Sequence, residues 1–299
     1  MFNPVVIEKG LQARFAQAMQ QFYAAREIAP GLMQTALEVP STGAYEKLGW
    51  LGSLPGVQQW LGERNAKELK DYDYTIKNKD WEASVIINEN DWDDDQTGSF
   101  SVVPAMLAKR IMSHPEKLVS ELVINGDSEL AYDGVPFFSA ATGVRTITNL
   151  LTGTGTALAN LKADLISALG AMAKFTDDNG EIMNIQGNVI YCPINLKPDF
   201  ESLVFSTADP TASGGVNTYN PFNGKFVVIG DARLDADDIN DWYLFATNEI
   251  VKPFVYQLRQ KARPSMEKAN LTKQWVFGAD YRGNGGYGIP HLGIKVTNT

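Results

Sequence analysis

The stretch from Tyr72 to Gly126 constrains the fold more than any other, because its periodicity changes once and abruptly. Tyr72, Tyr74 and Ile76 alternate with polar neighbours, a polar Asn78-Lys79-Asp80 step follows, and Trp81, Ala83, Val85 and Ile87 alternate again. Period two puts each set on one face of a strand. The polar step reads as a turn, so the two strands are expected to pair as a hairpin over about Lys70 to Asn90. After the acidic run Asp91, Asp93, Asp94 and Asp95, the residues Met106, Leu107, Ile111, Met112, Leu118, Val119, Leu122 and Val123 keep helical spacing up to an Asn125-Gly126 stop. A two-stranded ribbon is marginal alone in water, so a hairpin this apolar needs a surface to lie on, and a neighbouring copy of the chain can supply it. Within the helix, Pro115 removes a donor, and Ser113 and Glu116 have capping-box spacing, which predicts a kink or restart between Met112 and Pro115. The aspartates at 91 to 95 then complement the dipole at a helix start.

Composition sets the outer limits. At 299 residues, 44% hydrophobic and 20% charged, the chain suits one large or two ordinary globular domains. A net charge of −9 argues against nucleic-acid binding as the main role, since phosphate contacts need clustered Lys and Arg. The single cysteine, Cys192, lies in an apolar run and reads as a small buried residue, and it excludes an internal disulfide framework. Neither a signal sequence nor an apolar run of membrane length is recognisable, so the expectation is a chain made and used in the cytoplasm, with no membrane partner.

In chain order, Ile7, Leu11, Phe15, Met19 and Phe22 predict an N-terminal helix that ends at Ala29-Pro30-Gly31, packed on its own domain or reaching a neighbour as an arm. A segment of glycines beside large aromatics follows, with Trp50, Gly52, Trp60, Gly62 and Arg64 as a packing motif. Residues Ser139 to Thr156 are rich in Thr, Gly and Ala and read as a boundary or exposed loop. Beyond it a helix from Ala157 to Phe175, a buried strand from Asn188 to Pro193 and a short helix from Asn195 to Val204 alternate as an α/β unit does. Ser206 to Asn220 is a polar loop. Strands are expected at Lys225–Ile229, Trp242–Ala246, Pro253–Leu258 and Gln274–Gly278.

The chemistry-bearing patterns are weak. Counting an EF-hand from Asp91 puts Gln96 and Val102 where glycine and glutamate belong, so that match fails. Asp231, Asp235, Asp237, Asp238 and Asp241 read as a loop before a Trp242 strand, with paired carboxylates for hydrolysis kept as an alternative. Gly283-Asn284-Gly285-Gly286-Tyr287-Gly288 satisfies GxGxxG, yet no helix or downstream acidic residue follows, so it reads as a turn between strands. His114 and His291 are the two histidines, and no zinc cluster, Walker motif or nucleophile elbow is present; no catalytic residue, cofactor or metal is assigned.

The motifs, taken together, resemble the major head subunit family of Mu-like phages and prophages. The carriers are Trp50-Leu51-Gly52 with Pro55, Trp60-Leu61-Gly62-Glu63-Arg64, Asn78-Lys79-Asp80-Trp81-Glu82, Asp91-Trp92-Asp93-Asp94-Asp95-Gln96-Thr97-Gly98, Pro115-Glu116-Lys117-Leu118 and Tyr132-Asp133-Gly134-Val135-Pro136-Phe137-Phe138, with later echoes at 252–259 and 277–282. The chain departs where that family often carries a histidine after the paired phenylalanines; here Ser139-Ala140-Ala141-Thr142-Gly143 follows Phe138.

The resemblance implies an α+β protein with the HK97-type capsid fold. Its parts would be an N-terminal arm with the Trp/Gly segment at 1–69, an extended β-hairpin loop at 70–90, and a peripheral domain with a spine helix at 91–150. An axial domain at 151–250 and C-terminal strands at 251–299 returning to the peripheral domain would complete it. It further implies a structural subunit that assembles with itself into hexamers and pentamers of a shell around double-stranded DNA, with scaffold, portal and decoration proteins as partners, nonspecific contact with the packaged DNA, and a place in the virion after synthesis in the host bacterium. Subunit-interface residues would be Tyr72, Tyr74, Ile76, Trp81, Val85, Ile87, Asp93 and Asp94. The alternatives are a cytoplasmic hydrolase using the clustered aspartates, or a shell of the same fold around protein cargo.

Overall fold

The computed structural model describes residues 4–29, 31–43, 45–51, 71–94, 102–141, 144–177, 180–212, 219–268 and 273–298. Helix α1 (Pro4–Ile28) buries Leu11 and Phe15, four residues apart on one face, against α3 (Val103–Ile124), the role of a helix packed on its own domain. Strand β1 (Ala36–Pro40) runs parallel to β9 (Phe254–Lys268), which pairs with β10 (Gln274–Tyr287), which pairs with β4 (Lys79–Asn88); these make a four-stranded sheet ordered β1-β9-β10-β4. Strands β2 (Tyr45–Leu51) and β3 (Asp71–Lys77) form a separate antiparallel ribbon.

The expected hairpin between 72–76 and 81–87 is therefore not formed. Both segments are strands, but β3 pairs with β2 and β4 pairs with β10. The cause lies at Asn78, whose side-chain amide donates to Ser41 Oγ and to the Gly43 carbonyl, 2.9 Å each, so the polar step carries the chain from ribbon to sheet without turning it back. Asp91 and Asp93 lie on a separate short helix, α2 (Glu89–Asp93), and the first turn of α3 holds no acidic residue, so the expected acidic start of the long helix is not formed. Helix continues on both sides of Pro115, and the expected capping box is absent. The Ser113 hydroxyl donates to the Arg110 carbonyl (3.0 Å), and the Glu116 carboxylate accepts from Leu32 N (3.2 Å). Burial of Ile111, Leu118 and Val119 around the proline offsets a penalty of about 3 kcal/mol for proline in a helix interior.

A second sheet, ordered β5-β11-β8-β6-β7, holds β5 (Leu150–Thr152), β6 (Val189–Cys192), β7 (Val227–Gly230), β8 (Trp242–Phe245) and β11 (Gly293–Thr297). Its central strands are buried on both faces, and period two decides which residue serves which core. Val189, Tyr191, Tyr243 and Phe245 join α1, α3 and the first sheet. Ile190, Cys192, Trp242 and Leu244 join α4 (Leu158–Ala173) and α5 (Lys197–Phe205). The last strand, β11, thus lies in this second sheet, whereas β9 and β10 return to the first.

Two further expectations change. The described part of the 139–156 stretch, 139–141 and 144–156, is not exposed throughout: Arg145 forms a bidentate pair with Asp133 (2.7 and 2.8 Å) and donates to the Pro136 and Phe137 carbonyls. Asn149, fully buried, donates to the carbonyls of Phe137, Pro290 and Gly293. The glycine run is strand through Tyr287, not a turn.

Candidate subunit interface

The register of the β2–β3 ribbon sets Leu48 opposite Tyr74 and Trp50 opposite Tyr72; of Leu48, Trp50 and Tyr72 the backbone alone is described. Its root is tied to β10. The Tyr74 hydroxyl accepts from Tyr287 N (3.1 Å), Asn284 Nδ2 donates to the Lys77 carbonyl (3.0 Å), and Ile76 is buried over Gly286. A Cβ on Gly286 would stand 2.5 Å from Ile76 Cδ1, and one on Gly285 would stand 2.8 Å from Leu122 of α3. The glycine run is a seat that lets helix and ribbon approach one strand closely. Sequence reasoning saw the spacing of these glycines and missed that meaning.

The remaining expected interface residues divide. Ile87 is buried, and Trp81 is half-buried, donating from its indole to the Gly283 carbonyl (2.8 Å) with the His114 ring 4.4 Å away. Ile87 thus packs within the subunit and Trp81 does so in part, with β4 in contact with α3. Val85 and its unforeseen neighbour Ile86 are the exposed apolar residues, on an outer strand of the sheet. Asp94 is exposed, while the side chain of Asp93 and all of Gly52, Trp60, Gly62 and Arg64 lie outside the described residues.

His114 Nδ1 lies 2.5 Å from the Tyr281 hydroxyl. Burial, then the Lys117 and Arg233 charges, hold its pKa below the ordinary value despite Glu121. Lys295 sits between Asp127 (3.1 Å) and Asp241 (3.3 Å). Burial works against the charge of Lys295, but the two carboxylates prevail and raise its pKa; Asp241 is raised too, because burial outweighs the cation facing it.

Four of the five aspartates of 231–241 bind neighbouring backbone or side-chain groups. Asp231 caps α6 (Ala232–Asp235), a short helix inside the expected loop, and accepts from the Tyr191 hydroxyl. Asp235 accepts from Ile194 N, Asp238 from Asn240 N and Asp241 from Asn298 N. Among the described residues no three His, Cys, Asp or Glu side chains cluster as a metal site, and no helix is long and apolar enough to cross a membrane.

A groove of about 480 Å³ opens at the ribbon root, lined by Tyr74, Leu118, Glu121, Leu122, Glu129 and Tyr287 among others.

Comparison with known proteins gives three findings. Residues 6–164 and 228–299 match the family model described as "Mu-like prophage major head subunit gpT". The chain is 27% identical over 299 residues to the major capsid protein of Escherichia phage Mu, covering 98% of this chain and 86% of that one. It is 24% identical to the Mu-like prophage FluMu major head subunit of Haemophilus influenzae, covering 88% of this chain but 65% of that protein's length. Among solved structures, the procapsid of bacteriophage JBD30 superposes with a TM-score of 0.54 at 23% identity, covering all of this chain and 77% of its own.

Proposed function

The chain belongs to the Mu-like prophage major head subunit family and has the HK97-type capsid fold, and from that premise we propose how it builds a phage shell. It is a structural subunit of the virion that assembles with copies of itself. The observation that carries the mechanism is the β2–β3 ribbon, seven residue pairs long and, among the described residues, paired with no other strand. A ribbon of that kind gains stability by lying on another surface, and a repeating shell offers that surface in the next copy. The extended loop therefore runs from Tyr45 to Lys77, in place of the 70–90 read from the sequence. The four-stranded sheet with α3 serves as the peripheral domain, and the five-stranded sheet with α4 and α5 as the axial domain. Hexamers and pentamers would form through interfaces of the obligate class, a few thousand Å² per copy. Scaffold, portal and decoration proteins, nonspecific contact with packaged double-stranded DNA, and synthesis in the host cytoplasm complete the reading.

The test is size-exclusion chromatography with light scattering, and negative-stain microscopy of the same fractions, on the chain expressed alone and with its phage's scaffold. Rings, tubes or closed shells are expected. A monomer that stays small in both settings at every salt and protein concentration would overturn the proposal.

A further inference from the structure

Of the four edges of the two larger sheets, three are short. β1 has five residues and ends in Pro40, β5 has three residues and β7 has four. The fourth edge, β4, runs ten residues without proline or glycine. It meets β10 through ten consecutive partners with no bulge, whereas β9 meets the same strand with two register shifts. A strand with a single partner uses alternate amides and carbonyls on it and turns the others outward, which is why natural edges are kept short, bulged or charged. The charges of β4, at Lys79, Asp80 and Glu82, all lie in its first half, and Ala83-Ser84-Val85-Ile86-Ile87-Asn88 has none. Ser84, Val85 and Ile86 are exposed, and among the described residues no strand pairs with the outer side of β4. An uncharged, β-branched run of this kind on an edge is a template for another strand.

The chemistry of β4 is complementary to itself. Laid antiparallel on a second β4 about a two-fold axis at Ser84, it sets Trp81 opposite Ile87 and Ala83 opposite Val85 on the face that carries Ile87 into the core. On the other face Asp80 stands opposite Asn88 and Glu82 opposite Ile86. At both ends Lys79 meets Glu89, whose partner within the subunit is Lys268 in an exposed pair at 3.4 Å. No like charges meet in this register. Moving the axis to Val85 sets Trp81 against Glu89, and moving it to Ala83 sets Lys79 against Ile87 and Asp80 against Ile86, so both shifts lose the Lys79–Glu89 pairs. We infer that β4 of one copy pairs with β4 of a second, antiparallel about Ser84, and joins two four-stranded sheets into one. The inference rests on the reading of the chain as a shell subunit and adds a two-fold contact that does not involve the ribbon.

Ser84→Cys is its own reporter. Residues directly opposite in an antiparallel pair stand about 4.5–5.5 Å apart at Cα, within reach of a disulfide. Cys192 is buried, and burial pushes its thiol up to about 12, so it stays silent. Assembled Ser84→Cys chains under mild oxidation are expected to give a reducible dimer several-fold above a Glu249→Cys control, an exposed position outside both sheets. Particles with no more 84–84 link than the control would overturn the pairing and leave the shell reading intact; failure of the unsubstituted chain to assemble would overturn both. A second measurement needs no thiol. Ser84→Lys sets two ammonium groups face to face across the axis, so particle yield should fall several-fold while urea unfolding of the subunit is unchanged. Mixing these chains with Ser84→Glu chains should restore the yield, because position 84 then faces its opposite charge. A yield that does not fall, or that the mixture does not restore, overturns the pairing of position 84 with itself.

Discussion

At the scale of single residues, His114 and Trp81 show how α3 is locked to the sheet. The imidazole is held between the indole, the Tyr281 hydroxyl and two cationic side chains, Lys117 and Arg233, which disfavour its proton. Because its folded pKa lies below the ordinary 6.5, the unfolded chain takes up the proton first as pH falls. The contribution of the neutral ring is complete above that pH and is lost on acidification through the folded value. Denaturant melts should accordingly show His114→Gln flattening the pH dependence of stability below 6.5; an unchanged slope would remove the histidine from this role. Trp81→Ala removes the indole hydrogen bond and half-buried packing, and should cost about 2–4 kcal/mol in the isolated subunit, read by urea unfolding. Alternation groups Trp81 with Val85 and Ile87, yet Trp81 is half-buried, Val85 exposed and Ile87 buried, because period two tells which residues share a side and not how far that side is covered.

Elements were legible in proportion to how local their causes are. Helices α1 and α4 and strands β6 and β8 stand where their own periodicity put them, since one buried stripe or one fully apolar run needs no knowledge of the partner. Pairing was the part that could not be read: the partner of β3 is β2, and that of β4 is β10, nearly two hundred positions away by register. The candidate site was hidden for the same reason, because its glycine seat, Tyr287 and Asn284 come from a strand remote in sequence from the ribbon they hold. The ribbon root is the element to probe. Tyr74→Phe with Asn78→Ala deletes the bonds to Tyr287, Ser41 and Gly43, each of about 1 kcal/mol. Hydrogen exchange should rise across 45–51 and 71–77 while the β9–β10 amides stay protected; equal loosening of both would show that ribbon and sheet open as one unit.

For the whole molecule, the separation of interior from assembly surface makes a contrast with Trp81. Ile86 is 63% exposed on an outer strand, so Ile86→Asp should shift subunit stability by no more than about 0.5 kcal/mol. In assembly assays the same change should cut particle formation strongly, because it buries an unpaired charge wherever copies meet; normal particles from it would place that strand outside the contacts. Asn78 then acquires a meaning at the largest scale. One residue separates the ribbon from β4, and β4 lies against α3. A joint that short has no slack, so the ribbon is less a rope thrown to the next copy than a crank handle. Were a neighbour to load the ribbon as proposed, the torque would pass through one residue into the sheet and its helix, and the curvature of the shell would be felt inside the subunit.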